Sequence, residues 1–233
     1  MVNELKISLQ QTNNNMKLNL GCGAVRPKGW INVDSSLNAY LQKLPGGKQI
    51  AQKLGMVQYD SDNVVYMNLN KPWKFISNSV DIVYASHLFE HLTLKSAELF
   101  MKESFRVLKP GGVIRIVVPD LYKIAKKYIA EYEQTNGFKD TTEYIMWAIN
   151  MHREGQYPNV QGLKKIILEW QGYPHQHKYM YDEKSLGKIF DDHGFVQIKS
   201  KSYGDSEYIP EIKDVEGGKE SYLSVYLEAK KPQ

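Results

Sequence analysis

The stretch that most restricts what this chain can fold into is residues 17–34, K-L-N-L-G-C-G-A-V-R-P-K-G-W-I-N-V-D. Two short apolar segments, 18–20 and 31–33, are each followed at once by residues suited to gripping a polar ligand. After the first comes Gly21-Cys22-Gly23, where missing Cβ atoms permit positive φ and let the backbone approach a ligand closely. After the second comes Asp34. In a parallel α/β sheet ligands sit beyond the carboxyl ends of the strands, and an acid closing the second strand can accept a hydrogen bond from a ribose hydroxyl. The stretch therefore reads as a nucleoside site.

What is missing narrows the nucleoside. A dinucleotide fingerprint has three glycines, G-x-G-x-x-G, opening a helix whose N-terminus takes the pyrophosphate, with the acid about 20 residues further on. Here twelve residues, Cys22 to Val33, separate Gly21 from Asp34, and Pro27 and Gly29 interrupt them. No full crossover helix fits, so an adenosine-type ligand without phosphates, such as S-adenosylmethionine, is expected. At these residues the sequence resembles the class I S-adenosylmethionine-dependent methyltransferases, whose first motif is a strand ending in a G-x-G loop. It is most similar to a branch that begins L-N-L-G-C-G and continues G-W-x-N-V-D. It departs from the family at Asn19, where an acid is frequent, and at Val25, where a third glycine is. A glycine turn between two strands is the plainer alternative, and Cys22 reads as a small packing residue rather than a reactive thiol.

Further along, residues 64–67, V-V-Y-M, read as a third strand closing at Asn68-Leu69-Asn70. The resemblance implies that the Asn68 side chain and the Leu69 backbone meet the adenine, although Asn68 offers only its carbonyl oxygen as acceptor where the family usually has an acid. Residues 80–86, V-D-I-V-Y-A-S, form a buried-strand pattern ending at His87, and S-V-D-I at 79–82 resembles the opening of the family's fourth strand. The run E-S-F-R-V-L-K-P-G-G-V-I-R-I-V-V-P at 103–119 is similar to the family's late signature; it predicts a helix over 94–108 stopped by Lys109-Pro110-Gly111-Gly112 and a strand over 113–118 broken only by Arg115. The resemblance covers residues 17–120 and implies that Leu20, Gly21, Cys22, Gly23, Asp34, Ser35, Asn68, Leu69 and Ser86 hold the cofactor.

Helical periodicity recurs at Leu37, Tyr40, Leu41 and Leu44, which should cover one face of the sheet, and 50–54 adds a further turn. It returns at Leu121, Ile124, Ala125, Tyr128, Ile129 and Tyr132, capped by Asp120, again from Asp140 with Glu143 at capping-box spacing, and at Leu163, Ile166, Ile167 and Trp170. The block is aromatic rather than basic, which points to a small-molecule or peptide-like acceptor. Asp182 to His193 is amphipathic with Gly194 as cap; residues 195–199 and 222–229 read as the last two strands, the final one antiparallel by the resemblance. Residues 1–15 form a polar tail without periodicity.

His87-Leu88-Phe89-Glu90-His91 matches H-x-x-E-H, an inverted zinc-peptidase spacing. Two histidines do not make a catalytic zinc site, which needs a third protein ligand. A metal-dependent hydrolase on His87, Glu90 and His91 is nevertheless the rival reading, and a non-catalytic S-adenosylmethionine-binding protein a further one. His175, His177 and Tyr179 form a second polar aromatic cluster, able to touch substrate or to add a ligand. Methyl transfer from a sulfonium is an in-line displacement needing mainly positioning, plus a base where the acceptor carries a proton. His87 is the best placed base and Asp120 the next; the plainer readings are a packed histidine and a helix cap.

The expectation is a single domain over 1–233, α/β and doubly wound, with a seven-stranded mostly parallel sheet, an antiparallel last strand and a helical insertion after the fifth strand, 121–180 serving as cover. A hydrophobic content of 42% in 233 residues supports one sizeable core. The net charge of +4 is not gathered into runs, so neither nucleic acid nor a membrane is expected as partner. One cysteine excludes an internal disulfide framework, and with no long apolar run a cytoplasmic protein is expected. The main reading assigns no metal.

Overall fold

The computed structural model describes residues 15–53, 64–135, 145–146, 149, 176–216 and 223–233. Seven strands form one sheet: β1 Lys17–Leu20, β2 Ile31–Asp34, β3 Val64–Tyr66, β4 Val80–Ser86, β5 Leu108–Pro119, β6 Val196–Lys201 and β7 Ser224–Lys230. Their order is β3-β2-β1-β4-β5-β7-β6, with β7 antiparallel to both neighbours and the others mutually parallel. The central strands are covered on both faces and so read as nearly unbroken apolar runs, as parallel strands do. The expected seven-stranded, mostly parallel sheet with an antiparallel last strand is the observed one.

The helices α1 Leu37–Leu41, α2 Gly47–Lys53, α3 Leu94–Val107, α4 Leu121–Thr135, α5 Glu183–Asp192 and α6 Ile212–Val215 complete the described elements. Thr93 caps α3 by accepting from Ser96 N–H at 3.2 Å, and the helix buries Ala97, Phe100, Met101, Ser104 and Val107 at helical spacing. Burying Phe100, Met101 and Val107 contributes about 1.5–3 kcal/mol each. Asp182 and Ser185 form a capping box at the start of α5, and Gly194, at φ +82°, ends it. One apolar cluster joins α3 and α5 to the sheet through Leu20, Val83, Phe100, Ile114, Phe190 and Leu227; another on the opposite face joins Trp30, Tyr84, Val117 and Tyr226 to Ile209, Ile212 and Val215.

Several local expectations change. The Lys109-Pro110-Gly111-Gly112 run does not separate helix from strand but lies inside β5, because Val80 pairs with Leu108 and Ile82 with Val113, so extra residues bulge at Gly111, φ +76°. The 37–44 pattern gives a helix that ends already at Leu41, the turn expected over 50–54 becomes the helix Gly47–Lys53, and Tyr40, Leu44 and Ile50 are exposed rather than packed on the sheet. Among the described side chains of α4 only Ile124 is buried, while Leu121, Ile129 and Tyr132 face outward. The third strand ends one residue early, at Tyr66, and the last two run 196–201 and 224–230. The polar tail 1–14 and the helical patterns from Asp140 and over 163–170 fall outside the described residues, apart from helical positions 145–146.

Candidate functional site

Because β1 to β5 are parallel, their carboxyl ends lie on one edge, and this edge gathers Gly21, Asp34, Asn68, Ser86, His87 and Asp120. A parallel pair ordinarily needs a crossover of a dozen or more residues, usually a helix. Here β1 reaches β2 through residues 21–30 with no helix. Two asparagines, register partners across the pair, close this short connection: Asn19 Nδ2 donates to Asn32 Oδ1 at 3.0 Å and to Val25 O at 2.8 Å, and Asn32 Nδ2 reaches Pro27 O and Trp30 O at 3.3 Å each. The departure at Asn19 is thus a tether, because an acid there has no N–H to donate. The sequence marked Asn19 only as unusual; a buried amide at the same step of both strands was the signal.

Gly21 and Gly23 adopt φ of +69° and +49°, the region that favours glycine. A Cβ at Gly21 would stand 3.1 Å from the Leu88 side chain, while at Gly23 it would meet only Gly21 O, at 4.0 Å, so the backbone there faces open space. Cys22 is buried against Ala39 and Val64, and burial pushes its thiol up to about 12, which suits a packing residue. Leu20 is fully buried, so only its backbone can meet a ligand. Asp34 is buried, and its Oδ1 accepts from Ser36 N–H at 2.7 Å; Ser36 in turn caps α1, and Ser35 is exposed beside it. Asn68 Oδ1 accepts from Asn70 N–H at 2.9 Å, so the oxygen expected to face the adenine already carries one bond and has a second lone pair left. A buried carboxylate, a glycine backbone and an amide oxygen on one edge fit an uncharged ribose and base.

His87 leaves β4 at φ +48°, a left-handed conformation uncommon outside glycine, and is held there by N–H donation to Val117 O at 2.9 Å. Its Nδ1 lies 3.2 Å from Glu90 Oε1. Glu90 and His91 sit on a single 3-10 turn, Phe89–His91, so the long helix that a zinc-peptidase pair needs is not formed. Asp120 is committed to capping α4: its Oδ1 accepts from Tyr122 and Lys123 N–H at 3.0 and 3.2 Å, and Lys123 Nζ stands 3.5 Å from Oδ2. This employs the carboxylate as a cap and leaves it poorly suited to proton transfer. His177 packs on His91 with ring centroids 4.9 Å apart, and Tyr179 is partly exposed beside Tyr181; His175 lies outside the described residues.

A cleft of about 230 Å³ opens along this edge, lined by Asn19, Gly21, Ser86 and His87 on one side and Tyr203, Glu216 and Tyr226 on the other. Asp34, Asn68 and Leu69 are not in its lining but beyond it, at the ends of β2 and β3. Tyr203 and Glu216 of the far wall lie in the loop from Ser200 to Ser221, which its length in the sequence already suits to shape a pocket rim, but what anchors it went unrecognised. It is anchored by Arg115, whose guanidinium donates to Glu216 Oε1 at 2.7 Å, Glu228 Oε2 at 3.0 Å and Ser202 O at 3.1 Å. Glu216 Oε2 then accepts from Gly204 N–H at 2.7 Å, and Glu228 from Ser206 Oγ and Glu207 N–H at 2.6 and 2.9 Å. The signal available was Arg115 itself, since a cation inside an apolar strand requires buried partners.

Residues 18–116 match the family model described as "Methyltransferase domain". No curated protein matches the chain. Among solved structures, an S-adenosylmethionine-dependent methyltransferase from Methanosarcina mazei is similar with a TM-score of 0.50 at 18% identity, covering 94% of this chain and 93% of that one, which supports the fold. A methyltransferase from Archaeoglobus fulgidus gives 0.47 at 16% over 94% and 87%. One from Thermotoga maritima, described as a possible histamine N-methyltransferase, gives 0.46 at 14% over 95% and 84%.

Proposed function

We propose, for a chain that carries the methyltransferase domain of the class I S-adenosylmethionine-dependent enzymes, that it methylates a small-molecule or peptide-like acceptor held in the cleft beside His87. The observation that carries this reading is the gathering of the glycine loop, Asp34, Asn68 and His87 on one sheet edge, with a cleft lined by the loop and His87 opposite Tyr203 and Tyr226. S-adenosylmethionine supplies an electrophilic methyl carbon on a sulfonium. The Gly21–Gly23 backbone is placed to approach its amino-acid end, Asp34 to accept from ribose hydroxyls, and Asn68 and Leu69 to meet the base. The tyrosines 203 and 226 and the small cleft volume favour a compact acceptor over a duplex. In this reading the chain is one domain over 1–233, with residues 121–180 as the acceptor-side cover.

His87 is the residue placed to move a proton. Donation of its Nδ1–H to Glu90 Oε1 leaves the lone pair on Nε2, the form a general base needs. Such a base is required only where the acceptor atom is protonated, as in a hydroxyl or ammonium.

Calorimetry with S-adenosylhomocysteine tests the reading: one site of micromolar-range affinity is expected, weakened by about 1.5–3 kcal/mol in Asp34→Ala, the scale for losing a bond to a charged group. A folded wild type that gives no heat overturns it, and an Asp34→Ala variant that binds like the wild type removes Asp34 from the ribose.

A further inference from the structure

A separate arrangement stands behind His87. Glu90 is almost fully buried, with its side chain 1% exposed, and three imidazoles surround Oε1: His87 Nδ1 at 3.2 Å, His91 Nε2 at 3.9 Å and His177 Nε2 at 3.9 Å. Its other oxygen, Oε2, is buried and takes no hydrogen bond. A carboxylate left so is costly, because a buried ion must be paired and bonded through its remaining lone pairs.

The tautomer of His91 sharpens the problem. Its Nδ1 lies 3.2 Å from the carbonyl oxygen of Gln176, and a carbonyl only accepts, so the Nδ1 carries the proton. In the neutral ring Nε2 then holds a lone pair, and that lone pair is directed at the cluster where Glu90 Oε1 and His177 Nε2 also stand. His177 brings its Nε2 to the same point, 3.9 Å from Glu90 Oε1, while its Nδ1 is buried with no hydrogen-bond partner. Three potential ligand atoms thus converge within 4.8 Å of one another, and both imidazole nitrogens stand 3.9 Å from Glu90 Oε1, beyond hydrogen-bond reach.

We propose that Glu90, His91 and His177 bind a first-row divalent transition-metal ion, with zinc the best match to a two-imidazole, one-carboxylate set. Tetrahedral ligands at about 2.1 Å from an ion stand roughly 3.4 Å apart, so side-chain shifts of some tenths of an ångström close the site. The Gln176 carbonyl is the outer partner that a ligating histidine typically has. Main-chain bonds already draw the same segments together, since Lys178 and Tyr179 N–H donate to Glu90 O at 2.7 and 3.2 Å. The ion fastens the segment around His177 to the turn that positions His87, and its role is to hold the acceptor side of the cleft. This ligand set differs from the hydrolase arrangement that the H-x-x-E-H spacing suggested: Glu90 is a ligand, not a base, and His87 is not needed.

The test uses the full chain, stripped with chelator and checked for fold by circular dichroism, then titrated with Zn²⁺ by calorimetry and with Co²⁺ by visible absorption. One ion per chain is expected, with a raised melting temperature and Co²⁺ bands of a low-symmetry nitrogen and oxygen site. His177→Gln and Glu90→Gln should each weaken binding by about 100-fold or more, and His87→Gln by no more than a few-fold. Should either ligand variant fail to fold, stoichiometry and the Co²⁺ spectrum of the wild type decide. Wild type that takes up no Zn²⁺ and melts alike with chelator or metal overturns the site and leaves a proton-sharing His–Glu cluster. Uptake unchanged in His177→Gln overturns it as adventitious. S-adenosylhomocysteine binding, measured on the same samples, reports on the methyltransferase reading independently.

Discussion

Arg115 and Glu228 are register partners across β5 and β7, and their side chains meet with Nη1 3.0 Å from Oε2, neither exposed to solvent. With Glu216 they form a buried triad that pins residues 202–216 against the sheet and so makes the far wall of the cleft. One cation here serves two carboxylates, and each side-chain bond that Arg115 donates reaches a segment remote in sequence.

Replacing Arg115 by Met should therefore destabilise the protein by about 3–5 kcal/mol, the cost of leaving buried charges without their partner. Urea denaturation followed by circular dichroism measures it. A loss under about 1 kcal/mol would mean that the carboxylates find water in the folded state.

Glu216 should give stability a particular pH dependence. Burial holds its carboxyl above the ordinary range, with Arg115 opposing more weakly. A folded pKa above the unfolded one means that the contribution is fully present below the unfolded value, about 4.3, and is lost as pH rises through the folded value. Compared with Glu216→Gln, the wild type should therefore be relatively most stable near the acid end and lose ground toward neutral pH. Carboxylates shifted the other way, such as Glu103 and Glu211, are common to both proteins and cancel in the difference. A melting-temperature difference that is flat with pH contradicts the assignment.

Gly21→Ala tests the loop. The residue holds φ +69°, and an added Cβ meets the Leu88 side chain at 3.1 Å, so strain of about 1–3 kcal/mol is expected together with displacement of the backbone from the cleft. S-adenosylhomocysteine affinity should fall by about tenfold or more while the far-UV spectrum is retained. Wild-type affinity in a folded variant would place the ligand elsewhere on the edge.

His87→Ala should keep cofactor affinity within a few-fold and slow methyl transfer by about 10², the scale of general-base assistance. Turnover per folded molecule, once an acceptor is found by screening amines and hydroxyl compounds, is the measurement. If His87 only packs, stability falls and turnover does not.

What the sequence by itself determined are the features written in short windows. Short, mostly apolar segments made strands of β1, β2, β4 and β5; the helical spacing of Leu94, Ala97, Met101 and Phe105 marked α3; and Gly21, Gly23 and Gly194 marked positive φ. Each depends on residues a few positions apart, so a linear reading recovers them, and the likeness of the first motif then pointed to the edge on which the site is proposed. What only the tertiary structure decided are pairings over long separations. Asn19 and Asn32 replace a crossover helix because the sheet sets them side by side, and Arg115 finds Glu216 and Glu228 about a hundred residues away. His177 joins Glu90 and His91 because the returning chain crosses the end of β4. The α4 stripe taught the converse, since periodicity names an apolar face but not what covers it. Hydrophobic pattern is a property of one segment, whereas an ion pair or a ligand cluster is a property of the distance between two, and that distance exists only once the chain has folded.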